Sequence, residues 1–309
     1  MMLSKGFRVF GTVLLFIFSM LALSGGGVKI TENEHAVFAQ LAAGGGGTAE
    51  KPGIKPVRIP LDISRQEEAK KMVKTLTFLS FNIHSAIDMN GDVKLDDIIE
   101  EIRGSGADVI GLQEVERFMP RSGYKDQIKL IAEALGYFYY YGGNLNILGA
   151  RYGNAVLSKY PIMASDNLKL PKNKLEPRGL IEAEIDVDGI EIKVFVTHLG
   201  LDAKERMKQI RFINDRIAQN SKRTIFMGDF NNRLDSPEME HLSPDLADAA
   251  VFMSRDDQST YSLYQETPSF RLDRIYVSQD LSIVDYTILP SQVSDHARVI
   301  VTVDLNMAD

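Results

Sequence analysis

The chain has no cysteine and no tryptophan. Without cysteine there are no disulfides, no thiol nucleophile, no cysteine-linked lipid anchor and no thiolate metal site. A core built from 309 residues needs no such staples. Without tryptophan there is no indole to stack on a nucleobase. A basic tail or Lys/Arg block is also missing: 35 basic face 42 acidic side chains, a net charge of −7. That weighs against a sequence-independent nucleic-acid binding module, but not against an enzyme whose phosphate contacts sit in one cleft. No internal repeat period is visible. What remains is ordinary globular composition, 44% hydrophobic and 25% charged, in a length that suits one large domain or two small ones.

The one long apolar run is N-terminal. Lys5 and Arg8 precede Val9–Leu23, interrupted only by Gly11, Thr12 and Ser19. This is the pattern of a secretory signal, and it is short of the roughly 20 residues a spanning helix needs. Residues 1–39 are therefore expected to be a signal peptide, cleaved after Ser24 or after Ala39. The protein is then secreted or extracytoplasmic, or membrane-anchored if the segment is kept. Removing these residues moves the charge balance to −8. Residues 40–72, with Gly44–Gly47 and the prolines Pro52, Pro56 and Pro60, read as a linker. The glycine run lacks the Gly-Lys-Ser/Thr of a phosphate-cradling loop. Residues 73–309 are the expected folded domain.

Within that domain, short β-rich runs alternate with helical patterns. Leu76–His84, Ala107–Val115, Tyr137–Tyr141, Asn154–Ser158, Leu180–Val187, Ile190–Thr197, Thr224–Met227, Leu272–Ser278, Leu281–Leu289 and Ala297–Leu305 predict strands. Asp188-Gly189 marks a hairpin. Helices are predicted over Leu95–Arg103, Lys125–Leu135 and Asp202–Gln219, the last with Met207, Ile210, Ile213 and Ile217 on one stripe. Residues 142–153 read as a Gly-rich loop, and 235–268 as mostly loop and short elements. Asp88–Asp92 resembles a calcium loop, but Val93 stands where its glycine is due and Ile99 where its acidic ligand is due. A turn is the expected outcome.

Polar residues collect at the strand ends: Asn82, Glu114, Asn154, His198, Asp229, Asn231, Asp273, Asp295 and His296. Each alone has a plain structural explanation, such as a turn-forming Asp or, for Glu114, an ion pair with Arg117. Together they form a possible site. Oxygen ligands without cysteine point to a hard divalent cation, and histidines beside carboxylates can move protons near neutral pH.

The ordered set Ser-Phe-Asn82, Leu-Gln-Glu114-Val, Gly-Asn154-Ala-Val-Leu-Ser, Thr-His198-Leu, Gly-Asp229-Phe-Asn231, Leu-Asp273-Arg-Ile-Tyr-Val-Ser and Ser-Asp295-His296 resembles the endonuclease/exonuclease/phosphatase superfamily. The resemblance covers about residues 75–305 and is nearest to its bacterial metal-dependent hydrolases. It implies an α/β fold, a four-layered α-β-β-α sandwich with two packed mixed β-sheets, and metal-dependent phosphoester hydrolysis. By that resemblance Glu114 would hold the metal, with Asn82 and Asp295 nearby. The ion would be Mg²⁺, with Mn²⁺ or Ca²⁺ as alternatives. Asp229 would orient or deprotonate the attacking water, and Asn231 would hold that water or a phosphate oxygen. His296, paired with Asp273, would carry a proton or stabilise charge, and His198 would donate to the phosphate. Arg178 and Asn154 are candidate substrate contacts, and Arg117 a supporting residue. Whether Asp229 or His296 is the general base stays open.

The expected function is an exported phosphodiesterase acting as a monomer without a stable protein partner. Nuclease activity is modestly favoured on family size. A phospholipid or small-molecule phosphoesterase is the alternative, and a non-catalytic binding scaffold the second.

Overall fold

The computed structural model describes residues 75–172, 176–219, 223–233, 236–262 and 270–305. The expected signal peptide (1–39) and linker (40–72) lie outside the described residues.

Twelve strands form two six-stranded sheets among these residues. The first contains β1 (Thr75–Asn82), β2 (Val109–Arg117), β3 (Phe138–Ile147), β4 (Ala150–Ser158), β11 (Ser282–Leu289) and β12 (Arg298–Asp304), in the order β11-β12-β1-β2-β4-β3. The second contains β5 (Ile162–Lys169), β6 (Gly179–Val187), β7 (Ile190–His198), β8 (Thr224–Asp229), β9 (Leu246–Asp248) and β10 (Asp273–Ser278), in the order β5-β6-β7-β8-β10-β9. Each sheet has a single parallel pair at its centre, β1 with β2 and β7 with β8, flanked by antiparallel pairs. The two sheets thus repeat one pattern of strand directions, which no sequence period announces.

The central strands are buried on both faces and separate their side chains by alternation. Leu76 and Phe78 of β1 join Val109, Val156, Ile181, Val194, Ile225 and Ile275 in the core between the sheets. Leu79 and Phe81 face the other way, onto α1 (Leu95–Gly104) and α2 (Gln127–Leu135), against Ile98, Ile102, Ile128 and Ile131. On the far side α3 (Ala203–Ile217) packs Ile210, Ile213 and Ile217 against Phe195, Phe226 and Tyr276. The result is the four-layered α-β-β-α sandwich. Asp202 caps α3 by accepting from Glu205 N at 2.9 Å. Met207 is only half-buried, and Arg206 and Gln209 take the sheltered positions beside it.

Two local readings change. Residues 142–153 are not a loop: β3 runs to Ile147, β4 starts at Ala150, and only Leu148 and Gly149 turn. Gly142 serves close approach between the sheets, since a Cβ there would lie 2.8 Å from the Asn167 side chain. The strand β5 was not foreseen, because its exposed edge carries little apolar alternation. Within 235–268 the described residues include a 3-10 turn (Pro237–His241), β9 and α4 (Ala249–Phe252). The Asp88–Asp92 segment is a turn as expected, with Asp88 Oδ1 accepting from Asn90 N and Asp92 N, each at 2.9 Å.

Strand direction decides where the chemistry lies. The C-terminal ends of β1, β2, β7 and β8 and the N-terminal ends of β4, β6, β10 and β12 all open onto one end of the sandwich. Gly228 permits the tightest contact there. A Cβ on it would stand 2.0 Å from Thr197 O, so only glycine lets β8 close on β7 just before Asp229.

Candidate active site

The register sets His198 beside Asp229, and Asp229 beside Asp273, on three adjacent strands of one sheet. The facing sheet sets Asn82 beside Gln113. Between the two rows, Asp229 Oδ2 is a point of convergence. Asn82 donates to it through Nδ2 at 3.1 Å, His198 Nε2 lies at 3.4 Å and His296 Nε2 at 3.7 Å. The other carboxylate oxygen accepts from Asn231 N at 2.9 Å. Burial lifts the Asp229 carboxyl above the usual range, and the His296 charge opposes that rise.

The two histidines are held in different states. Nη1 of Arg178 lies 2.8 Å from His198 Nδ1. A guanidinium can only donate, so Nδ1 accepts and the proton of neutral His198 sits on Nε2, facing Asp229. Burial, reinforced by the charges of Arg178 and His296, pushes His198 well below the ordinary histidine pKa. Asp273 Oδ2 lies 2.8 Å from His296 Nδ1. Burial alone would lower the pKa of His296, but the carboxylates of Asp273 and Asp229 raise it to about 10. The site thus contains one neutral and one protonated imidazole.

Asp273 has its own support. Thr260 Oγ1 accepts from Leu272 N and Asp273 N, both at 3.0 Å, and donates to Asp273 Oδ2 at 2.7 Å. Ser294 joins two strand ends, donating to Asn82 O at 2.7 Å and accepting from His296 N at 3.1 Å.

Glu114 reaches the site through a backbone irregularity. The pairing of β2 with β4 slips between Leu112 and Val115, and Glu114 has φ 59°. Such a bulge turns a side chain out of strict alternation, and positive φ on a non-glycine residue carries local strain. Glu114 Oε1 accepts from Asn82 Nδ2 at 3.1 Å. Burial works to raise its pKa, yet His84, the Asn82 amide, His296 and Arg178 together hold it below the usual carboxylate value.

A model of the Endonuclease/Exonuclease/phosphatase family matches residues 79–296. The chain belongs to this family. Its members are phosphoester hydrolases that depend on divalent metals. Among curated proteins this family member is similar to YbhP of Escherichia coli K12, described as uncharacterized. The two are 27% identical over 242 residues, covering 71% of this chain and 92% of YbhP. It is also 32% identical over 127 residues to the protein cwh43 of Schizosaccharomyces pombe, covering 41% of this chain and 13% of cwh43. Among solved structures it is similar to an endonuclease/exonuclease/phosphatase from Beutenbergia cavernae, with TM-score 0.63, 23% identity, and 75% of this chain and 72% of that one covered. A humanized Danio rerio TDP2 superposes with TM-score 0.62 at 18% identity, over 75% of this chain and all of that one. These last two likenesses establish the fold.

A divalent cation suits this family member's donor set, which is carboxylate-rich and lacks thiolates. Two groups of candidate ligands must be told apart. Ligand atoms of Asp229, Asp273 and His296 lie within 4.8 Å of one another. His296 is already committed there, its Nδ1 to Asp273 and its proton held by two carboxylates, so this triad is poorly disposed to bind a cation. Asp295 Oδ1 is buried without a hydrogen-bond partner among the described residues, 4.0 Å from His84 Nδ1. The carboxylates of Glu114 and Asp295 are therefore the better fit. Asn82 sits between Glu114 and Asp229, but its Oδ1 already accepts from His84 N at 3.0 Å.

The remaining candidates are placed as follows. Asn231, with φ 50°, donates through Nδ2 to Leu199 O at 2.9 Å. Asn154 is buried and donates to Gly179 O at 3.3 Å, bracing the start of β6 next to Arg178. Arg178 is itself buried and is also paired with Glu176 at 3.1 Å. Arg117 is not the partner of Glu114: its Nε and Nη2 engage Asp126 at 2.9 and 2.6 Å. Asn232 supports the buried Arg274, whose Nη2 donates to Asn232 O at 3.0 Å. Sequence reasoning missed Thr260, which lies in a stretch read as loop and carries no local signal. It also gave no role to Gln113, which is fully buried with neither amide atom partnered among the described residues. Gln113 follows Leu112 in the Leu-Gln-Glu run, which was the available cue.

Proposed function

We propose that this protein is an exported, divalent-metal-dependent phosphodiesterase. The observation that carries the proposal is the convergence of Asn82 Nδ2, His198 Nε2 and His296 Nε2 on Asp229 Oδ2, brought together from four strand ends. Such a ring of donors, in a site sheltered from water, can bind phosphoryl oxygens and stabilise the negative charge that grows on them. Export rests on Lys5, Arg8 and the apolar run Val9–Leu23.

In this reading Asp229 accepts a proton from the attacking water as the water oxygen bonds to phosphorus. The raised pKa of Asp229 suits a base, and that of His296 suits a donor, which supports giving them those roles. His296 supplies its proton to the leaving oxygen as the phosphorus–oxygen bond breaks, while Asp273 and Thr260 hold the ring in line. His198 and Asn231 orient the phosphate. A cation held by Glu114 and Asp295 would supply charge neutralisation at a phosphoryl oxygen.

Hydrolysis of bis(p-nitrophenyl) phosphate, abolished by chelator and restored by Mg²⁺ or Mn²⁺, is the expected outcome. Full activity in chelator, or full activity of both Glu114→Ala and His296→Ala, would overturn the reading. Hydrolysis of p-nitrophenyl phosphate but not of the diester would reassign the enzyme as a monoesterase.

A further inference from the structure

Three bulky apolar residues stand where local physics disfavours them twice over. Phe118, Tyr124 and Leu148 have φ of 60°, 57° and 50°, and their side chains are 46%, 67% and 104% exposed. Left-handed backbone favours glycine and asparagine and strains other residues. Leu148-Gly149 has positive φ at both residues of a two-residue hairpin turn, where Asn-Gly is the favoured pair. Burial does not repay this strain, because the side chains point into water. Phe118 meets the Arg117 guanidinium, 5.5 Å from its ring centroid, but Tyr124 and Leu148 are left to solvent.

They share one place. Arg117, the last residue of β2, pairs with Asp126 on one side and Arg151 on the other. Phe118 N donates to Lys125 O and Tyr124 N to Met119 O, each at 2.9 Å, so residues 117–126 form a small hairpin. The β3–β4 turn, with Ile147 and Leu148, projects beside it. The two tips start three residues beyond Glu114, about 10 Å along an extended strand. They are also built firmly. Arg121 Nη2 donates to Ser85 Oγ at 2.9 Å and pairs with the fully buried Glu116, whose N donates to Gln127 Oε1 at 2.7 Å. Lys125 and Arg151 are exposed beside the apolar tips, and neither has an ion-pair partner among the described residues.

We propose that these two tips are a membrane-docking edge, and that the phosphodiester they bring to the site is a phospholipid headgroup. Aromatic and aliphatic side chains interleaved with cations suit the boundary between acyl chains and anionic headgroups. Four side chains on two points make a small wedge, well below the roughly 800 Å² per partner of a stable protein interface. The lack of tryptophan leaves no indole on this edge to stack on a nucleobase. The proposal rests on the phosphodiesterase reading above.

The absence of cysteine permits a direct test. The full-length protein is made as Leu148→Cys and, at the opposite end of the sandwich, as Gln219→Cys, each carrying a polarity-sensitive thiol dye. Vesicles of phosphatidylcholine with 30% phosphatidylglycerol should blue-shift the dye at 148 and leave the dye at 219 unchanged. No shift at 148, equal shifts at both positions, a shift with single-stranded oligonucleotide instead, or a protein-concentration-dependent shift without vesicles would each overturn the proposal. In the unlabelled protein, Phe118→Glu with Leu148→Glu should reduce hydrolysis of vesicle phospholipid at least tenfold, in line with losing two buried apolar side chains. Hydrolysis of the soluble diester should stay within twofold. Undiminished vesicle hydrolysis in the double variant would also overturn it. Failure on the soluble diester in the unmodified enzyme would instead count against the phosphodiesterase reading, which the dye measurement does not address.

Discussion

Arg178 donates to Nδ1 of His198 at 2.8 Å, and this contact fixes which nitrogen of the imidazole carries the proton. Arginine cannot lose its proton, so the lock holds at any working pH. Asp273 does the reverse for His296, accepting from Nδ1 and favouring the charged ring. The enzyme thereby aims Nε2–H of two histidines at one oxygen, one ring neutral and the other cationic.

Replacing Arg178 should therefore change a tautomer as well as a charge. Arg178→Met, similar in volume, is expected to lower kcat on the soluble diester by about 10²-fold or more. An upper limit of about 10⁴-fold applies to an imidazole held in the wrong tautomer. Nitrogen NMR of His198 should show a mixture of tautomers in the variant and the Nε2–H form alone in the parent. A pure Nε2–H signal in both proteins would remove Arg178 from this role.

Cation binding should depend on Glu114 and Asp295. Titration calorimetry is expected to show affinity for Mg²⁺ or Mn²⁺ falling at least about a hundredfold in Glu114→Gln and in Asp295→Asn, with the thermal transition of the cation-free protein preserved. Unaltered binding in both variants, with loss in Asp273→Asn, would place the cation in the other carboxylate group.

Thr260 satisfies two backbone N–H groups and one carboxylate with a single hydroxyl. Thr260→Val keeps the shape and leaves those groups unpaired in a buried setting. It should cost about 1–3 kcal/mol in denaturant unfolding and lower kcat more than it raises KM. Stability and kcat both equal to the parent would show that the hydroxyl does not position Asp273.

The charge on His296 makes stability depend on pH. Its pKa of about 10 in the folded protein exceeds the unfolded value of about 6.5, so the folded state binds the proton more tightly. The stabilisation is complete below about pH 6.5 and disappears as pH rises through 10. In chelator, the Tm should fall between pH 7 and 10, and Asp273→Asn should flatten that slope. An equally steep fall in Asp273→Asn would assign the dependence to other groups.

Much of this molecule is legible in one dimension. Alternation and β-branched runs locate β1, β2, β6, β7, β8, β10 and β12 within a residue or two, because strands buried on both faces leave few polar positions. Asp188-Gly189 makes the turn between β6 and β7. The edge strand β11 is read equally well, but β5 and β3 are harder. β5 leaves half of its side chains exposed, and the glycines of β3 look like a loop until the second sheet is seen pressing on Gly142.

The site divides in the same way. Its residue types and their order stand at strand ends in the sequence, because metal binding and proton transfer demand carboxylates, carboxamides and imidazoles. Their relations do not. The bulge that turns Glu114 toward Asn82, the guanidinium against His198 and the hydroxyl of Thr260 under Asp273 join residues 32, 20 and 13 positions apart. The sequence by itself determined the alternating strands and which side chains they carry to their ends, since both follow from local periodicity and composition. Only the tertiary structure decided which of those ends meet, which histidine carries charge, and that apolar tips flank the opening. Those properties arise from burial, strand register and through-space electrostatics, none of which exists before the two sheets close on each other.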